Sequence, residues 1–340
     1  MSNFVRKNLF QIYFRMSEQE VIEYYQELRK QMYYEDNPIK GIEIRKKIYA
    51  IIKAILLIDE RTSGRRVTIM GDERNHIYSY KEGTEEVRKP RRIGGKIPKD
   101  KTRIYTCAHI GRYDIESAIR GVGENCFFIQ SDPGETYQNI DGLLLRINGV
   151  SWFEMGKPFD AHTVMARQLK VLRQGGNELN FGEAGYCLDP VQPVGKIHPG
   201  VAKRGILTDS RIIPVSMEQY EENGIKDYIL NIGRSIDLTG TDVSEAKAVA
   251  VFIQEEMIKL KREIWAAYGG GKPTEEEFLA NLDVELEKYK QRIDFMYRDV
   301  PDYYTVKETI NEVYEPSELT VKALKKIGYI KDSDILKKTD

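Results

Sequence analysis

The sequence predicts an α/β protein, in which a mixed sheet is flanked by helices and further helices stand at both ends of the chain. Two observations lead to this fold class. Between about residues 100 and 240, short apolar runs typical of buried strands alternate with segments of helical periodicity, which is the pattern of a sheet packed by helices. The 340 residues and a hydrophobic content of 41% are enough for a large core.

The first elements are predicted from periodicity and turn residues. Apolar residues recur at helical spacing over residues 18–32 and again over residues 42–57, with a break at Asn37-Pro38. Residues 66–70 and 76–80 have the composition of strands, and the turn residues between them predict a β-hairpin. We therefore expect two helices and a hairpin before the alternating part of the chain.

The alternating part supplies most of the predicted sheet. Strands are predicted at residues 103–107, 127–129, 180–181 and 211–216. A helix over residues 161–174 is expected to end at the glycine pair that follows it.

The last hundred residues are predicted to be helical. A long helix spans residues 243–268 and stops at three glycines, and residues 274–340 are charged and mostly helical. The patterns divide the chain into an N-terminal helical region (residues 1–62), an α/β core (63–240) and a C-terminal helical region (241–340).

Composition excludes several classes of function. The 52 basic and 53 acidic residues balance, so the net charge does not favour binding to nucleic acid. No run approaches the roughly 18–20 apolar residues of a membrane span, and the N-terminus lacks the pattern of a signal peptide. The three cysteines have no metal-site spacing and favour reduced thiols in the cytoplasm, so no metal is expected.

A histidine and an aspartate, His109 and Asp114, form the most informative pair. His109 follows a predicted buried strand and Asp114 opens a predicted helix, so the two side chains can meet. The carboxylate would accept one imidazole N–H and leave the other ring nitrogen as a base. The three other histidines have a lysine or arginine five positions on, so none of them repeats this pattern.

A second cluster follows about seventy residues later. A short apolar strand runs into a glycine-rich turn that carries one carboxylate, Glu183. By itself Glu183 is equally consistent with a structural role and with ligand binding. A further buried strand contains the sequence Ile213-Pro214-Val215.

In this order, the segments resemble the glycerolipid acyltransferase family, which includes the lysophosphatidic acid acyltransferases. His109 and Asp114 match its His-x4-Asp block, residues 181–186 (FGEAGY) are similar to its Phe-Pro-Glu-Gly-Thr-Arg block, and residues 213–215 match its Val-Pro-Val-like strand. Residues 149–155 faintly resemble its remaining block. The resemblance covers roughly residues 85–240.

The resemblance implies an O-acyltransferase that needs no metal and no protein-bound cofactor. His109 would be the general base on an acceptor hydroxyl, and Asp114 would hold the imidazole. The donor would be acyl coenzyme A or acyl carrier protein, and the acceptor a lysophospholipid or related lipid. The residues expected at the acceptor are Gly182, Glu183, Ala184, Gly185, Tyr186, Lys157 and Lys203.

The departures from the family concern the phosphate of the acceptor. Two arginines that the family uses to hold it correspond to Met155 and Tyr186 here, and neither can form the bidentate bonds of a guanidinium. Lys157 and Lys203 could supply point charges instead. On these residues alone we expect lysophosphatidate to be a poor acceptor, which leaves a glycolipid or another hydroxyl open.

Two other classes of function stay open. The same pair could activate water, which would make the chain a thioesterase-like hydrolase, or the altered blocks could mark a binding relative without activity. Residues 88–103 hold eight basic residues and could contact anionic lipid headgroups, coenzyme A or an acidic carrier protein. We expect a cytoplasmic protein that touches the inner face of the membrane peripherally.

Overall fold

The computed structural model of the protein describes residues 38–39, 42–88, 101–111, 113–131, 149–153, 158–183, 185–298, 305–312 and 316–334. The predicted helix over residues 18–32, most of the basic loop, and the candidate residues Met155, Lys157 and Ala184 lie outside these ranges.

Ten strands join in one sheet. They are β1 (Arg65–Asp72), β2 (His76–Ser79), β3 (Thr84–Val87), β4 (Arg103–Cys107), β5 (Cys126–Ser131), β6 (Val150–Phe153), β7 (Asn177–Phe181), β8 (Arg211–Glu222), β9 (Ile225–Ile232) and β10 (Ser235–Asp237). The order along the sheet is β3-β2-β10-β8-β4-β7-β5-β6, and β9 pairs β8 and β1 off this path.

The middle of the sheet is parallel, and its edge strands make it mixed. β8, β4, β7, β5 and β6 run in the same direction, whereas β9 and β10 pair β8 in the antiparallel sense. Buried central strands with near-continuous apolar residues are typical of a parallel sheet covered on both faces. In β4, all five residues are buried.

Nine α-helices lie within the described residues. They are α1 (Ile42–Thr62), α2 (Asp114–Val122), α3 (Pro158–Arg173), α4 (Pro199–Thr208), α5 (Ala246–Tyr268), α6 (Glu275–Ala280), α7 (Leu282–Tyr297), α8 (Val306–Glu312) and α9 (Glu318–Lys326). The predicted helices near residues 42–57, 161–174 and 243–268 are therefore confirmed. Residues Val243–Glu245 form a 3-10 turn before α5.

Helices cover both faces of the sheet. On one face, α1 and α2 contribute Ile52, Leu56 and Ile119 to a core with Tyr105 and Met217. On the other face, residues of α3, α4 and α5 pack against Ile104 and Ile212. The chain thus forms a central sheet flanked by helices, in agreement with the predicted fold class.

The hairpin predicted from residues 66–80 is wrong. Both strands exist, but β1 pairs in parallel with β9, and β2 pairs with β10 and β3. Alternation of apolar and polar residues indicates that a segment is extended, but it does not specify the strand with which the segment pairs. That pairing depends on the packing of the whole sheet.

A third cluster of buried residues belongs to the C-terminal helices. Phe278, Tyr289, Ile293 and Leu324 pack there together with Tyr186, which comes from the loop after β7. The C-terminal helices are therefore packed on the loop that carries the candidate site, whereas the expected domain boundaries stay a prediction.

A buried ion pair fixes α4 to the centre of the sheet. Glu178, in β7, is fully buried, and its carboxylate accepts hydrogen bonds from Arg204 of α4 at 2.6 and 2.8 Å. Asn180 donates to the same carboxylate at 2.7 Å. Removing one partner of a buried pair leaves an uncompensated charge, which typically costs 3–5 kcal/mol.

We expect Arg204→Met to lower the free energy of unfolding by about 3–5 kcal/mol, because the Glu178 carboxylate would stay buried without its partner. Urea denaturation measures the change. Lys203→Met is the matched control, since Lys203 is exposed on the same helix and should change stability by less than about 0.5 kcal/mol. Equal effects of the two substitutions would contradict the importance of the pair.

Candidate active site

The candidate site lies where β4 and β7 end side by side. The two strands are parallel, with Cys107 opposite Phe181. The residues that follow them, His109 and Glu183, therefore emerge at the same edge of the sheet. The carboxyl edge of parallel strands is the usual place for a ligand site in an open α/β sheet.

His109 and Asp114 meet as the sequence predicts. The His109 Nδ1 atom lies 2.8 Å from Oδ2 of Asp114, which is the first residue of α2. The Asp114 side chain is buried, with 4% exposed, whereas 21% of the His109 side chain is exposed. Asp114 also accepts a hydrogen bond from the backbone N–H of Ile110 at 3.3 Å.

This geometry gives the imidazole a defined orientation. An ionised carboxylate can only accept, so the proton of a neutral imidazole stands on Nδ1 and Nε2 is left as the acceptor. The ring also stacks on Phe181 at 4.1 Å between centroids and meets the edge of Tyr186 at 5.5 Å. Three contacts, one from α2 and two from the end of β7 and the loop after it, therefore hold the base.

Glu183 joins the two loops of the site. Its carboxylate accepts hydrogen bonds from the backbone N–H of His109, at 2.8 Å, and from that of Gly195. The side chain is buried, and this burial raises the pKa of the Glu183 carboxyl, against the two backbone N–H donors. A Cβ at position 195 would lie 2.8 Å from a Glu183 oxygen, so only glycine admits this approach.

Gly182 is required by packing. A Cβ at this position would lie 2.5 Å from Cγ2 of Thr106 in β4 and 3.2 Å from the Ile197 side chain. The Gly182 carbonyl accepts a hydrogen bond from the His198 N–H at 2.8 Å, at the start of α4. The turn after β7 thus sits tightly between β4 and the loop before α4.

Two cavities border the site, the smaller at His109 and the larger at Tyr186. The smaller cavity has a volume of about 70 Å³ and is bordered by His109 and by residues of β8, α5 and α7. The larger cavity has a volume of about 290 Å³ and is bordered by Gly185, Tyr186 and residues of α5, α8 and α9. Cys187 borders both. The site therefore has one recess of headgroup size and one that approaches the size of ordinary small-molecule sites.

The predicted site residues fall into three groups. His109, Asp114, Glu183 and Tyr186 contact one another directly or through the backbone, as described above. Gly182 and Gly185 lie in the same turn, and Gly185 borders the larger cavity. Lys203 is exposed on α4 and borders neither cavity.

Three cationic residues of the site went unnoticed in the sequence. Lys261, Lys272 and Arg292 border the smaller cavity together with His109. Lys272 directly follows the three glycines that end α5, a break that could have drawn attention to it. Lys261 and Arg292 lie in charged helices, where no spacing distinguishes them from solvated residues.

The described residues contain no group of three or more metal-ligating side chains in position to hold an ion. Within those same residues, no helix is long and apolar enough to cross a membrane.

Comparisons with known proteins give distant structural likenesses alone. No protein-family profile matches the chain, and no curated protein matches it. Among solved structures, the chain is similar to the 1-acyl-sn-glycerophosphate (LPA) acyltransferase PlsC from Thermotoga maritima, with 16% sequence identity and a TM-score of 0.47. The likeness covers 72% of this chain and 89% of that chain. Similarity at this level leaves function to be argued from the site itself.

We expect Glu183→Gln to lower the free energy of unfolding by about 1–3 kcal/mol, because the amide NH2 would face a backbone N–H that loses its acceptor. Urea denaturation measures this change. Glu221→Gln is the control, since Glu221 is exposed and pairs with Arg298 at the surface. If the Glu183 variant is as stable as the control, Glu183 does not join the two loops.

Proposed function

We propose that the protein is an O-acyltransferase that moves a fatty acyl group from a thioester to the hydroxyl of a lysophospholipid or related lipid. The observation that carries this proposal is the contact of His109 Nδ1 with the buried carboxylate of Asp114, at the carboxyl edge of a parallel sheet and beside the smaller of the two cavities. The resemblance of residues 109–114 and 181–186 to the glycerolipid acyltransferase blocks supports the same reaction.

In the proposed reaction, Nε2 of His109 takes the proton of the acceptor hydroxyl while its oxygen attacks the thioester carbonyl carbon. Asp114 stabilises the imidazolium that forms. The tetrahedral intermediate collapses, its carbon–sulfur bond breaks, and the imidazolium returns the proton to the leaving thiolate. The products are an ester and a free thiol, with no covalent intermediate on the protein.

The oxyanion of the intermediate needs hydrogen-bond donors. The proposed donors are backbone N–H groups of Gly182, Glu183 and Gly185, in the turn after β7. The backbone N–H groups of His109 and Gly195 are not available for this role because Glu183 accepts them. The donor substrate would be acyl coenzyme A or acyl carrier protein.

The larger cavity supports a substrate with an extended part. At about 290 Å³ it is close to the lower limit of ordinary small-molecule sites, and Tyr186, Leu188, Val194 and Ile310 give it apolar surface. It borders Tyr186, whose ring packs edge-on against His109, so a chain lying in it would be one side chain away from the base.

Hydrolysis is the second candidate, because the same pair can activate water. Consumption of acyl coenzyme A at the same rate with and without an acceptor would identify a hydrolase.

We expect His109→Ala to lower turnover by about 10²–10⁴-fold, because the general base is lost while the fold is kept. Asp114→Asn should have a smaller effect. Transfer of a labelled acyl group from acyl coenzyme A to a panel of lysolipids measures the rate. His162→Ala is the control, since His162 is exposed on α3. Full activity of the His109 variant would reject the mechanism.

A membrane-facing surface is also part of the proposal. Ile51, Ile55 and Ile58 lie on one face of α1 with 59%, 38% and 63% of their surface exposed. Such a row can enter the interface of a bilayer without crossing it. We propose that the protein acts at the cytoplasmic membrane surface through this face, with help from the basic residues Arg88, Lys89, Arg91 and Arg92. Lys101 and Arg103 of the same basic stretch are paired with carboxylates in the fold and do not belong to this surface.

Replacing all three isoleucines with serine should reduce cosedimentation with anionic vesicles at least about tenfold, because each isoleucine buries apolar surface in the interface. Ile225→Ser, at an exposed isoleucine near a β-turn, is the control. If the triple variant binds vesicles as well as the wild type, and high salt abolishes this binding, the basic loop makes the contact instead. Absence of binding at every salt concentration would reject the membrane surface as the place of action.

A further inference from the structure

The smaller cavity carries a net positive charge. Three basic side chains, Lys261, Lys272 and Arg292, border it together with His109, and among the bordering residues Glu218 is the single carboxylate. Buried or half-buried charges are normally paired, because desolvation is costly for an isolated ion. The excess of cations beside the candidate base therefore needs an explanation.

The one carboxylate is already engaged. Glu218 lies 3.2 Å from the Lys261 ammonium and accepts a hydrogen bond from the Trp265 indole at 2.7 Å. Lys261 also donates to the Met217 carbonyl. Burial by itself would raise the pKa of the Glu218 carboxyl, but the contacts with Lys261 and Trp265 lower it, in agreement with an ion pair between Glu218 and Lys261.

Lys272 has a fixed charge with no carboxylate against it. Its ammonium donates to the carbonyl oxygens of Asp189 at 2.6 Å, Gln192 at 2.7 Å and Cys187 at 3.3 Å. Three carbonyls match the three donors of an ammonium, so this arrangement stabilises the charged form of the group. Burial lowers the pKa of Lys272, and no carboxylate in the described part of the chain lies within 4.0 Å of its nitrogen.

Arg292 keeps donors to spare. One guanidinium nitrogen donates to the Gly271 carbonyl at 2.8 Å, and the described ranges hold no carboxylate within 4.0 Å of the group. Burial lowers the pKa of Arg292, but a guanidinium stays protonated in proteins. Arg292 borders the cavity, and a guanidinium has the planar arrangement of donors that binds a phosphate through two bonds.

We propose that Arg292 and Lys272 form a subsite for a phosphate group of a substrate, next to His109. The inference rests on the proposed acyl transfer and names the headgroup chemistry that it uses. At about 70 Å³, the cavity admits a group of this size and excludes an acyl chain. Arg292 supplies directed donors, and Lys272 supplies a fixed positive charge.

The position of the subsite explains how a headgroup would be aligned. α7, which carries Arg292, lies against the His109 loop: a Cβ on Gly111 would be 3.7 Å from the Met296 carbonyl. Tyr297 of the same helix packs edge-on against Tyr186, which in turn packs against His109. A phosphate held by Arg292 therefore stands at a fixed place relative to the base.

This subsite changes the expectation drawn from Met155 and Tyr186. Those positions lack the arginines of the family blocks, but the C-terminal helices bring cations to the same site from outside the blocks. A phosphate-bearing acceptor such as lysophosphatidate is then a good candidate. The phosphates of coenzyme A share the same chemistry, so the test includes both substrates.

The test compares Arg292→Gln with Lys290→Gln, which removes the same charge from the exposed side of the same helix. Acyl transfer from acyl coenzyme A is measured to lysophosphatidate and to the neutral monoacylglycerol with the same chain. The donor is then changed to the same acyl group on N-acetylcysteamine, which carries no phosphate. Binding of glycerol 3-phosphate is measured separately by 31P NMR, in the wild type, the two variants and His109→Ala.

If the acceptor's phosphate occupies the subsite, Arg292→Gln lowers kcat/KM for lysophosphatidate about 10- to 100-fold and leaves monoacylglycerol unchanged, because a charge-assisted bond contributes about 1.5–3 kcal/mol. If coenzyme A occupies it, the loss appears with acyl coenzyme A and both acceptors, and disappears with the N-acetylcysteamine thioester. Either result supports the subsite, and Lys290→Gln should match the wild type in both.

Equal losses for phosphate-bearing and phosphate-free substrates would overturn the subsite, because Arg292 would then act on the fold alone. Glycerol 3-phosphate that binds equally to the wild type and to Arg292→Gln, with unchanged selectivity, would also overturn it. Failure of acyl transfer is a separate outcome. If the wild type transfers no acyl group, but glycerol 3-phosphate binds to the wild type and to His109→Ala and not to Arg292→Gln, the subsite is kept and the transferase is rejected.

Discussion

The site depends on one buried carboxylate that holds two backbone segments together. Glu183 stands just after β7 and accepts the N–H of His109, just after β4, and the N–H of Gly195, on the loop before α4. Without this bond, the parallel strands would bring the two loops near each other but would not fix their relative position. Since the backbone of His109 is held, its side chain can be aligned by Asp114 and Phe181.

The C-terminal helices complete this arrangement. They pack on the loop after β7 through Tyr186, and together with the loop that carries Lys272 they supply the cations and aromatic side chains that border the smaller cavity. The sheet therefore supplies the base and its carboxylate, whereas the helices supply charge and enclosure. A charged recess that is partly removed from water strengthens any interaction with an anion, because the local dielectric constant is lower than in bulk solvent.

The elements that the sequence predicted well are those set by local patterns. Strands β4, β5, β7 and β8 and the helices α3 and α5 follow from apolar periodicity and from the glycines that end them. The partner of β1 did not follow, because Val67 lies opposite Tyr228, far along the chain, and no turn between neighbours announces that pairing. Lys272 and Arg292 were missed for the same reason, since only packing distinguishes them from surface charges.

The sequence by itself determined the contact of His109 with Asp114. Strand β4 ends just before His109 and helix α2 begins at Asp114, so the five-residue spacing leaves the two side chains little freedom to lie apart. It also determined that a glycine-rich turn would carry Glu183. Only the tertiary structure decided that Glu183 is buried between two backbone amides and that Arg292 stands beside the base. Those features arise when segments distant in the chain exclude water together, and burial of this kind leaves no local pattern.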